Sequence, residues 1–277
     1  MIGAIIGDIV GSRFEFHNRK SKNFELFDPS CCFTDDSVMT LALAQAILNC
    51  SGDYTNLREE AVSCMRRIGR NHPHSGYGSH FYGWLFSADP HPYNSCGNGA
   101  AMRISGVGFA AGSMEECKEM SLKVTDVTHN HPDGILGAEA TASAILMARR
   151  GASIPEIRKV FTEQYYPIDF TLDELRPHYR WGALCSNTVP QALEAFFESV
   201  SFEDAIRNAV SLGGDSDTIA AITGGVAEAY YGVPEDFRKK AVSYLKPDLL
   251  DILERFETAF PWEKPKRDPE PAPDSMA

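Results

Sequence analysis

Two short acidic motifs hold the residues best suited to chemistry in this 277-residue sequence. Thr34-Asp35-Asp36-Ser37 precedes one apolar segment, and Gly214-Asp215-Ser216-Asp217-Thr218 precedes another. Either motif alone is typical of an ordinary helix start, because Thr or Asp caps the first amides and acidic residues favour the positive end of the helix. Together, however, they place four carboxylates at the ends of two segments whose composition predicts burial.

Clustered buried carboxylates need a compensating positive charge, because unpaired buried charge is costly. Neither motif contains Lys or Arg. Carboxylate and hydroxyl oxygens without a sulfur ligand favour Mg²⁺ or Mn²⁺. Two such ions would balance the four carboxylates, and a bridging carboxylate requires a pair of ions. The sequence therefore predicts a binuclear metal site at the starts of two central helices.

Three further features could contribute to a site. The glycine-rich residues 96–103 could cradle a phosphate with backbone amides, although a plain tight turn suits them equally well. His129 is a better candidate for a ligand pocket than for zinc, because no Cys or His spacing in the chain matches a zinc ligand set. Asp8, taken alone, is typical of a cap or a turn acid.

Helical periodicity dominates the rest of the chain. Apolar residues from Val189 to Val200 recur at helical spacing and predict one buried face. The same pattern predicts helices near residues 62–68, 114–127, 135–149, 202–212, 235–245 and 249–256. Segments 38–48 and 218–231 are apolar nearly all round, so we expect them at the centre. No run alternates as strands do. The predicted fold is a single compact, orthogonal all-α domain over residues 1–260.

Two stretches lack a helical pattern, residues 12–30 and residues 71–96. Both are rich in aromatic and polar residues, and long ordered loops of this kind often carry function. Residues 261–277 are rich in proline and charge, which predicts a flexible tail.

Composition excludes several function classes. Asp and Glu number 38 against 26 Lys and Arg, and this net charge of −12 disfavours non-specific binding to nucleic acid. No apolar segment reaches the roughly 18 residues of a membrane span, and the start of the chain does not resemble a signal peptide. Seven cysteines without a CxxC pair favour a reducing compartment. We therefore expect a cytoplasmic protein without membrane contact, and a monomer.

Taken in order, these motifs resemble the ADP-ribosylglycohydrolase family, of the dinitrogenase reductase-activating glycohydrolase and ADP-ribosyl-acceptor hydrolase type. The resemblance rests on Gly7-Asp8 with Glu15, the two acidic motifs, Gly97 to Arg103, and Thr128-His129, and it spans residues 1 to about 256. It implies an all-α fold around two Mg²⁺ or Mn²⁺ ions. The implied metal ligands are Thr34, Asp35, Asp36, Asp215, Asp217 and Thr218. The implied substrate contacts are Gly97, Asn98, Gly99 and Met102 for the diphosphate, and His129 for the nucleotide.

The resemblance also implies an activity, the hydrolysis of the glycosidic bond at C1″ of the terminal ribose of an ADP-ribosylated protein or small acceptor. Glu15 matches the acidic residue of the family's mobile substrate loop. Asp35 is expected to bridge the metals and to take the proton of water, and either residue could serve as the acid or the base. The acidic character of the chain slightly favours arginine over serine as the acceptor.

Two other functions stay open. A metal-dependent phosphohydrolase would use the same acidic site to cleave the diphosphate of a nucleotide. A non-catalytic module would bind ADP-ribose in the same pocket without turnover.

Overall fold

The computed structural model describes residues 1–266, and residues 267–277 of the predicted tail lie outside this range. The described part contains fifteen α-helices and two short 3₁₀-helices, with no β-strand, which confirms the all-α prediction. The α-helices are α1 (Ile2–Ser12), α2 (Asp35–Cys50), α3 (Leu57–Asn71), α4 (Ser79–Phe86), α5 (Gly99–Met102), α6 (Ser105–Ala110), α7 (Met114–Thr125), α8 (Pro132–Arg149), α9 (Ile154–Gln164), α10 (Leu172–Leu175), α11 (Val189–Phe197), α12 (Phe202–Leu212), α13 (Ser216–Tyr231), α14 (Glu235–Val242) and α15 (Pro247–Ala259). The 3₁₀-helices are Tyr54–Asn56 and Cys185–Asn187.

Local capping explains where several helices begin. The hydroxyl of Ser201 accepts a hydrogen bond from the amide of Asp204 at 3.1 Å, and α12 occupies the bounds that its periodicity predicts. Ser153 and Glu156 form a reciprocal capping box at the start of α9. Each pairing satisfies amide groups that the first helical turn leaves without a partner.

Two details of the sequence analysis were wrong. Residues 71–96 are not without helix, because α4 lies within them and buries Phe81, Trp84 and Leu85. Its eight residues carry apolar side chains on several sides, which hides the helical period. Val200 was placed on the buried face of a helix, yet its side chain is 83% exposed because α11 already ends at Phe197.

The centre of the fold is a close contact between α1 and α13. A Cβ atom built on Gly7 would lie 1.9 Å from the backbone oxygen of Ala220, and one built on Gly3 would lie 2.3 Å from the oxygen of Gly224. Gly11, one turn further along α1, would collide with the backbone of Asp217 in the same way. Glycine at these positions lets the two helix backbones touch.

The remaining helices enclose this pair. α2 packs against α3 and α15, α12 and α11 pack against α13, and α8 lies between α7 and α13. Trp262, beyond α15, donates a hydrogen bond from Nε1 to the carbonyl of Ala229 at 3.3 Å. Among the residues described, no helix combines the length and the apolar character needed to cross a membrane.

We expect Gly7→Ala to reduce the free energy of unfolding by about 3 kcal/mol or more, because a methyl group there requires the two helices to separate. Gly83→Ala is the matched control, since a Cβ on this exposed position of α4 meets no atom within 4 Å. That substitution should leave stability unchanged or raise it by up to about 1 kcal/mol. Urea unfolding followed by circular dichroism measures both, and equal stability of the two variants would contradict the close packing.

Candidate active site

A cavity of about 390 Å³ opens where the starts of α2 and α13 meet. All twelve residues that the sequence analysis proposed for a site line this one cavity. They are Glu15, Thr34, Asp35, Asp36, Gly97, Asn98, Gly99, Met102, His129, Asp215, Asp217 and Thr218. The structure thus brings together motifs that lie up to two hundred residues apart, while the role of each residue stays a prediction.

Carboxylates form one side of the cavity in two overlapping groups. One group contains Asp8, Asp36 and Asp217, and the other contains Glu15, Asp215 and Asp217. Within each group, one carboxylate oxygen from every residue lies within 4.8 Å of the others, and Asp217 belongs to both. This spacing is compatible with shared cation ligands.

Asp8 is the acidic residue of these groups that the sequence analysis did not propose for the site. It lies inside α1, fully buried, and both of its oxygens accept hydrogen bonds from the start of α2. The amides of Thr34 and Ser37 donate at 2.9 and 3.1 Å, and the Thr34 hydroxyl donates at 2.6 Å. Asp8 therefore caps α2 from a neighbouring helix. The spacing of Gly3, Gly7 and Gly11 was the signal in the sequence that could have pointed to Asp8. Glycine at every fourth position marks one face of α1 for close packing, and Asp8 is next to Gly7.

Asp36 is the acid best placed to bind a cation. Its Oδ1 atom is buried and has no hydrogen-bond partner, and its Oδ2 accepts from the hydroxyl of Thr218 at 3.3 Å. Burial, Asp8 and Asp35 raise the pKa of Asp36 well above its ordinary value. An unpaired carboxylate oxygen among hydroxyl and carboxylate oxygens fits Mg²⁺ or Mn²⁺, because both ions prefer hard oxygen ligands.

Asp215 and Asp217 complete the acidic side from the start of α13. Asp215 accepts a hydrogen bond from Nδ2 of Asn98 at 2.7 Å, so the side chain of Asn98 orients an acid in addition to lining the cavity. Asp217 accepts from the amide of Thr218 at 3.0 Å. Burial raises the pKa of both aspartates, and the charge of Asp36 raises that of Asp217 further.

Asp35 and Glu15 lie nearer to solvent than the other acids. Asp35 lines the cavity but belongs to neither three-residue group, and its amide donates to the carbonyl of Ser75 at 2.6 Å. Burial and the charge of Asp8 raise the pKa of Asp35 to about 8. Burial and the charge of Asp215 raise the pKa of Glu15, which is half-buried, to about 7.

The loop that carries Glu15 is anchored at the start of α13. The side-chain amide of Asn18 donates to the carbonyl of Gly214 at 3.0 Å and accepts from its amide at 2.8 Å. Gly214 has a φ of +74°, which glycine adopts without strain. Lys20 adds a hydrogen bond to the carbonyl of Tyr179 at 2.9 Å. These contacts hold Glu15 beside Asp215 and Asp217.

The other side of the cavity carries positive charge and hydrogen-bond donors. Arg103 is 1% exposed, and no carboxylate within residues 1–266 forms an ion pair with it. Its Nη2 donates to the hydroxyl of Thr128 at 2.7 Å, and that hydroxyl lies 2.7 Å from Nδ1 of His129. Burial lowers the pKa of Arg103 to about 10. Burial and Arg103 together lower the pKa of His129 well below its ordinary value.

Aromatic residues that the candidate list lacked also line the cavity. Phe81 and Tyr93 come from the aromatic stretch 71–96, whose composition had indicated a functional loop. The ring of Tyr93 lies 6.0 Å from that of His129, measured between centroids. Trp181 is 56% exposed at the rim of the cavity, and no pattern in the sequence had marked it.

Comparison with known proteins gives a consistent result. A family model described as ADP-ribosylglycohydrolase matches residues 1–265. The human protein ADP-ribosylhydrolase ARH3 is 24% identical in an alignment that covers 90% of this chain and 90% of the relative. ADP-ribosylarginine hydrolase Tri1 of Pseudomonas putida (strain GB-1) is 26% identical, covering 84% of this chain and 70% of the relative.

Two further matches agree with these. The ADP-ribosyl-[dinitrogen reductase] glycohydrolase of Rhodospirillum rubrum is 25% identical, covering 84% of this chain and 85% of the relative. A solved structure described as an ADP-ribosylglycohydrolase-related protein complex is 22% identical and superposes with a TM-score of 0.67. It covers 92% of this chain and 95% of that chain, so the two share a fold.

We expect Mg²⁺ to raise the thermal midpoint more at about pH 8 than at about pH 5.5, because protons compete with the cation for the carboxylates. Raised carboxylate pKa values mean that the folded state holds more protons than the unfolded state above about pH 4. Without a cation, the contribution of these groups to stability therefore falls as pH rises towards 8. A cation that binds the ionised carboxylates offsets this loss.

Asp217→Asn should remove most of the Mg²⁺ effect on the thermal midpoint at both pH values. Asp169→Asn is the control, because Asp169 is exposed and does not line the cavity. Differential scanning fluorimetry with and without Mg²⁺ gives the comparison. If wild type and Asp217→Asn melt identically with and without Mg²⁺, the carboxylates only cap helices.

Proposed function

Because this chain belongs to the ADP-ribosylglycohydrolase family, whose members hydrolyse ADP-ribose from acceptors, we propose that it removes ADP-ribose from a modified protein or small acceptor. The bond cleaved is the glycosidic bond at C1″ of the terminal ribose. One observation supports this above others: a carboxylate cluster and a donor-rich wall line the same cavity. Such a cavity suits a ligand with ribose hydroxyls at one end and a diphosphate at the other.

The acidic side would hold two Mg²⁺ or Mn²⁺ ions. The residues proposed as ligands are Thr34, Asp35, Asp36, Asp215, Asp217 and Thr218. Bound ions of this kind orient hydroxyl groups and lower the pKa of water. The unpaired Oδ1 of Asp36 supports the assignment. Asp8 differs from these residues because the start of α2 already occupies both of its oxygens, so we assign it to positioning α2.

Glu15 and Asp35 are the residues proposed to move protons. Burial and the charge of Asp215 raise the pKa of Glu15 to about 7, near neutral pH, where a group can both hold and release a proton. Glu15 is half-buried on the loop beside the acidic cluster, the side from which an acceptor would leave. We assign Glu15 to protonating the leaving group and Asp35 to accepting the proton of the attacking water.

Arginine is the acceptor that the open side of the cavity favours. Trp181 offers an exposed indole face at the rim, and Glu15 offers a carboxyl group. A guanidinium group can stack on the first and donate a hydrogen bond to the carbonyl oxygen of the second, whereas a serine side chain in glycosidic linkage can do neither. The relative from Pseudomonas putida is named an ADP-ribosylarginine hydrolase, which supports the same choice.

The product distinguishes the proposed reaction from its alternatives. An arginine-ADP-ribosylated peptide incubated with the protein and Mg²⁺ should release ADP-ribose, identified by mass spectrometry, and not AMP. Asp35→Ala should retain less than about one tenth of the wild-type rate, because loss of an essential ligand or base usually costs about 10²-fold. Asp169→Asn, the exposed control, should keep full activity. Release of AMP would identify a phosphohydrolase, and binding of ADP-ribose without any product would identify a non-catalytic module.

Trp181→Ala should raise the KM for an arginine-linked ADP-ribosyl peptide by about fivefold, the size of one partly exposed cation–π contact. The KM for a serine-linked peptide should change by less than about twofold, because the hydroxyl side chain makes no such contact. Tyr82→Ala serves as the control, since Tyr82 is an exposed aromatic residue that does not line the cavity. Steady-state kinetics on both peptides measure the two changes in KM. An equal increase in KM for the two peptides would contradict the proposed preference for arginine.

A further inference from the structure

Three buried side chains form a chain of polar contacts that ends at the cavity. Arg103, Thr128 and His129 are each at most 4% exposed. Arg103 Nη2 lies 2.7 Å from Thr128 Oγ1 and 3.4 Å from His129 Nδ1, and Thr128 Oγ1 lies 2.7 Å from the same Nδ1 atom. The chemistry of these three groups decides where the imidazole proton resides.

The arginine can only donate hydrogen bonds, so the Thr128 hydroxyl must accept from it. The single proton of that hydroxyl is then free to point at the next neighbour, which is Nδ1 of His129. If Nδ1 carried a proton instead, the hydroxyl proton would have no acceptor within residues 1–266, and Arg103 would face an N–H group. Both donors in this series of contacts, the Arg103 guanidinium and the Thr128 hydroxyl, therefore point towards Nδ1 of His129. Nδ1 is thus an acceptor.

The other ring nitrogen, Nε2, faces the glycine turn at the cavity. A Cβ built on Gly99 would lie 3.3 Å from Nε2, and one built on Gly97 would lie 3.6 Å from it. No acceptor in the described chain forms a hydrogen bond with Nε2, and His129 lines the cavity. A neutral imidazole whose Nδ1 accepts a hydrogen bond carries its proton on Nε2. That proton is thus available to a ligand.

We propose that Arg103 and Thr128 are positioning residues that hold His129 in its Nε2–H form, so that His129 presents a fixed donor to an oxygen that only accepts hydrogen bonds. The class of ligand oxygen that fits is the phosphate oxygen of a nucleoside diphosphate. The identity of this ligand rests on the proposed function, whereas the position of the proton rests on the geometry alone.

The charge of Arg103 strengthens this arrangement. No carboxylate within the described residues pairs with it, and its Nε atom is buried without a partner. The guanidinium carbon lies 5.4 Å from the centre of the Phe81 ring, which shields one face from water. A positive charge behind a neutral donor favours an anionic ligand, and it also opposes a second proton on the ring.

The position of the proton can be measured without substrate. The nitrogen-15 NMR spectrum of protein labelled at histidine separates the two tautomers, because protonated and bare ring nitrogens resonate far apart. In metal-free protein, His129→Ala identifies its signals. We expect wild type and Thr128→Ser to show the Nε2–H form, and Thr128→Val to show a mixture of the two forms. A wild-type spectrum with the proton on Nδ1 would overturn the inference, whatever the variants do.

Binding then tests the consequence for the ligand. Isothermal titration with ADP-ribose should show about tenfold weaker binding by Thr128→Val, the value of one hydrogen bond to a charged group. Thr128→Ser should bind within about twofold of wild type, and none of the three should differ in affinity for adenosine, which lacks phosphate. In the His129→Ala background, Thr128→Val should have no further effect, because Thr128 acts only through His129.

The outcomes separate this inference from the proposed function. Equal losses of ADP-ribose and adenosine affinity in Thr128→Val would indicate a general structural effect and would overturn the positioning role. Hydrolysis by a wild type whose His129 carries its proton on Nδ1 would overturn the inference alone. If wild type shows the Nε2–H form but binds no ADP-ribose, the proposed ligand and the proposed function are both wrong. The inferred position of the His129 proton remains correct in that case.

Discussion

The backbone contact between α1 and α13 is the constraint on which the site depends. Gly7 lies so close to Ala220 that no side chain fits between the two helices. The same contact brings Asp8 of α1 next to Asp217 of α13, and Asp8 in turn holds the start of α2 through four hydrogen bonds from Thr34 and Ser37. The acidic cluster is therefore a consequence of helix packing. A wider separation of α1 and α13 would disperse the carboxylates that come from three different helices.

This packing concentrates charge of one sign. Burial raises the pKa of each acid. Without a cation, the buried carboxyl groups therefore stay protonated at pH values where an exposed carboxyl group is ionised. The close packing of apolar side chains in the surrounding helices offsets this cost. An unpaired oxygen on Asp36 adds to the cost, since a buried acceptor without a partner destabilises the protein. Such a feature is typical of a functional site, where stability is lost in exchange for a binding position.

The sequence allowed much of this to be predicted, and the omissions have physical causes. The acidic motifs were recognisable because each combines helix-start chemistry with an apolar segment, and the structure places both at one cavity. α1 was missed because its three glycines weaken the helical pattern, although they are what the close packing needs. Asp35 lines the cavity outside the tight carboxylate groups, and a spacing argument cannot separate it from Asp36, its neighbour. Trp181 stands in an irregular segment, where no period relates it to the site.

The two sides of the cavity have opposite electrostatic character, and this opposition orients a ligand. Arg103 and His129 favour an anion at one side, while the carboxylates repel the same anion from the other side unless cations intervene. Under the proposed function, the diphosphate of the ligand would lie at Arg103 and His129, and its terminal ribose would lie at the acids. The group attached to that ribose would then face Glu15 and the open rim. Because Glu15 and Trp181 both lie outside the α-helices, the residues proposed to select the acceptor can change without disturbing the helices that hold the acids.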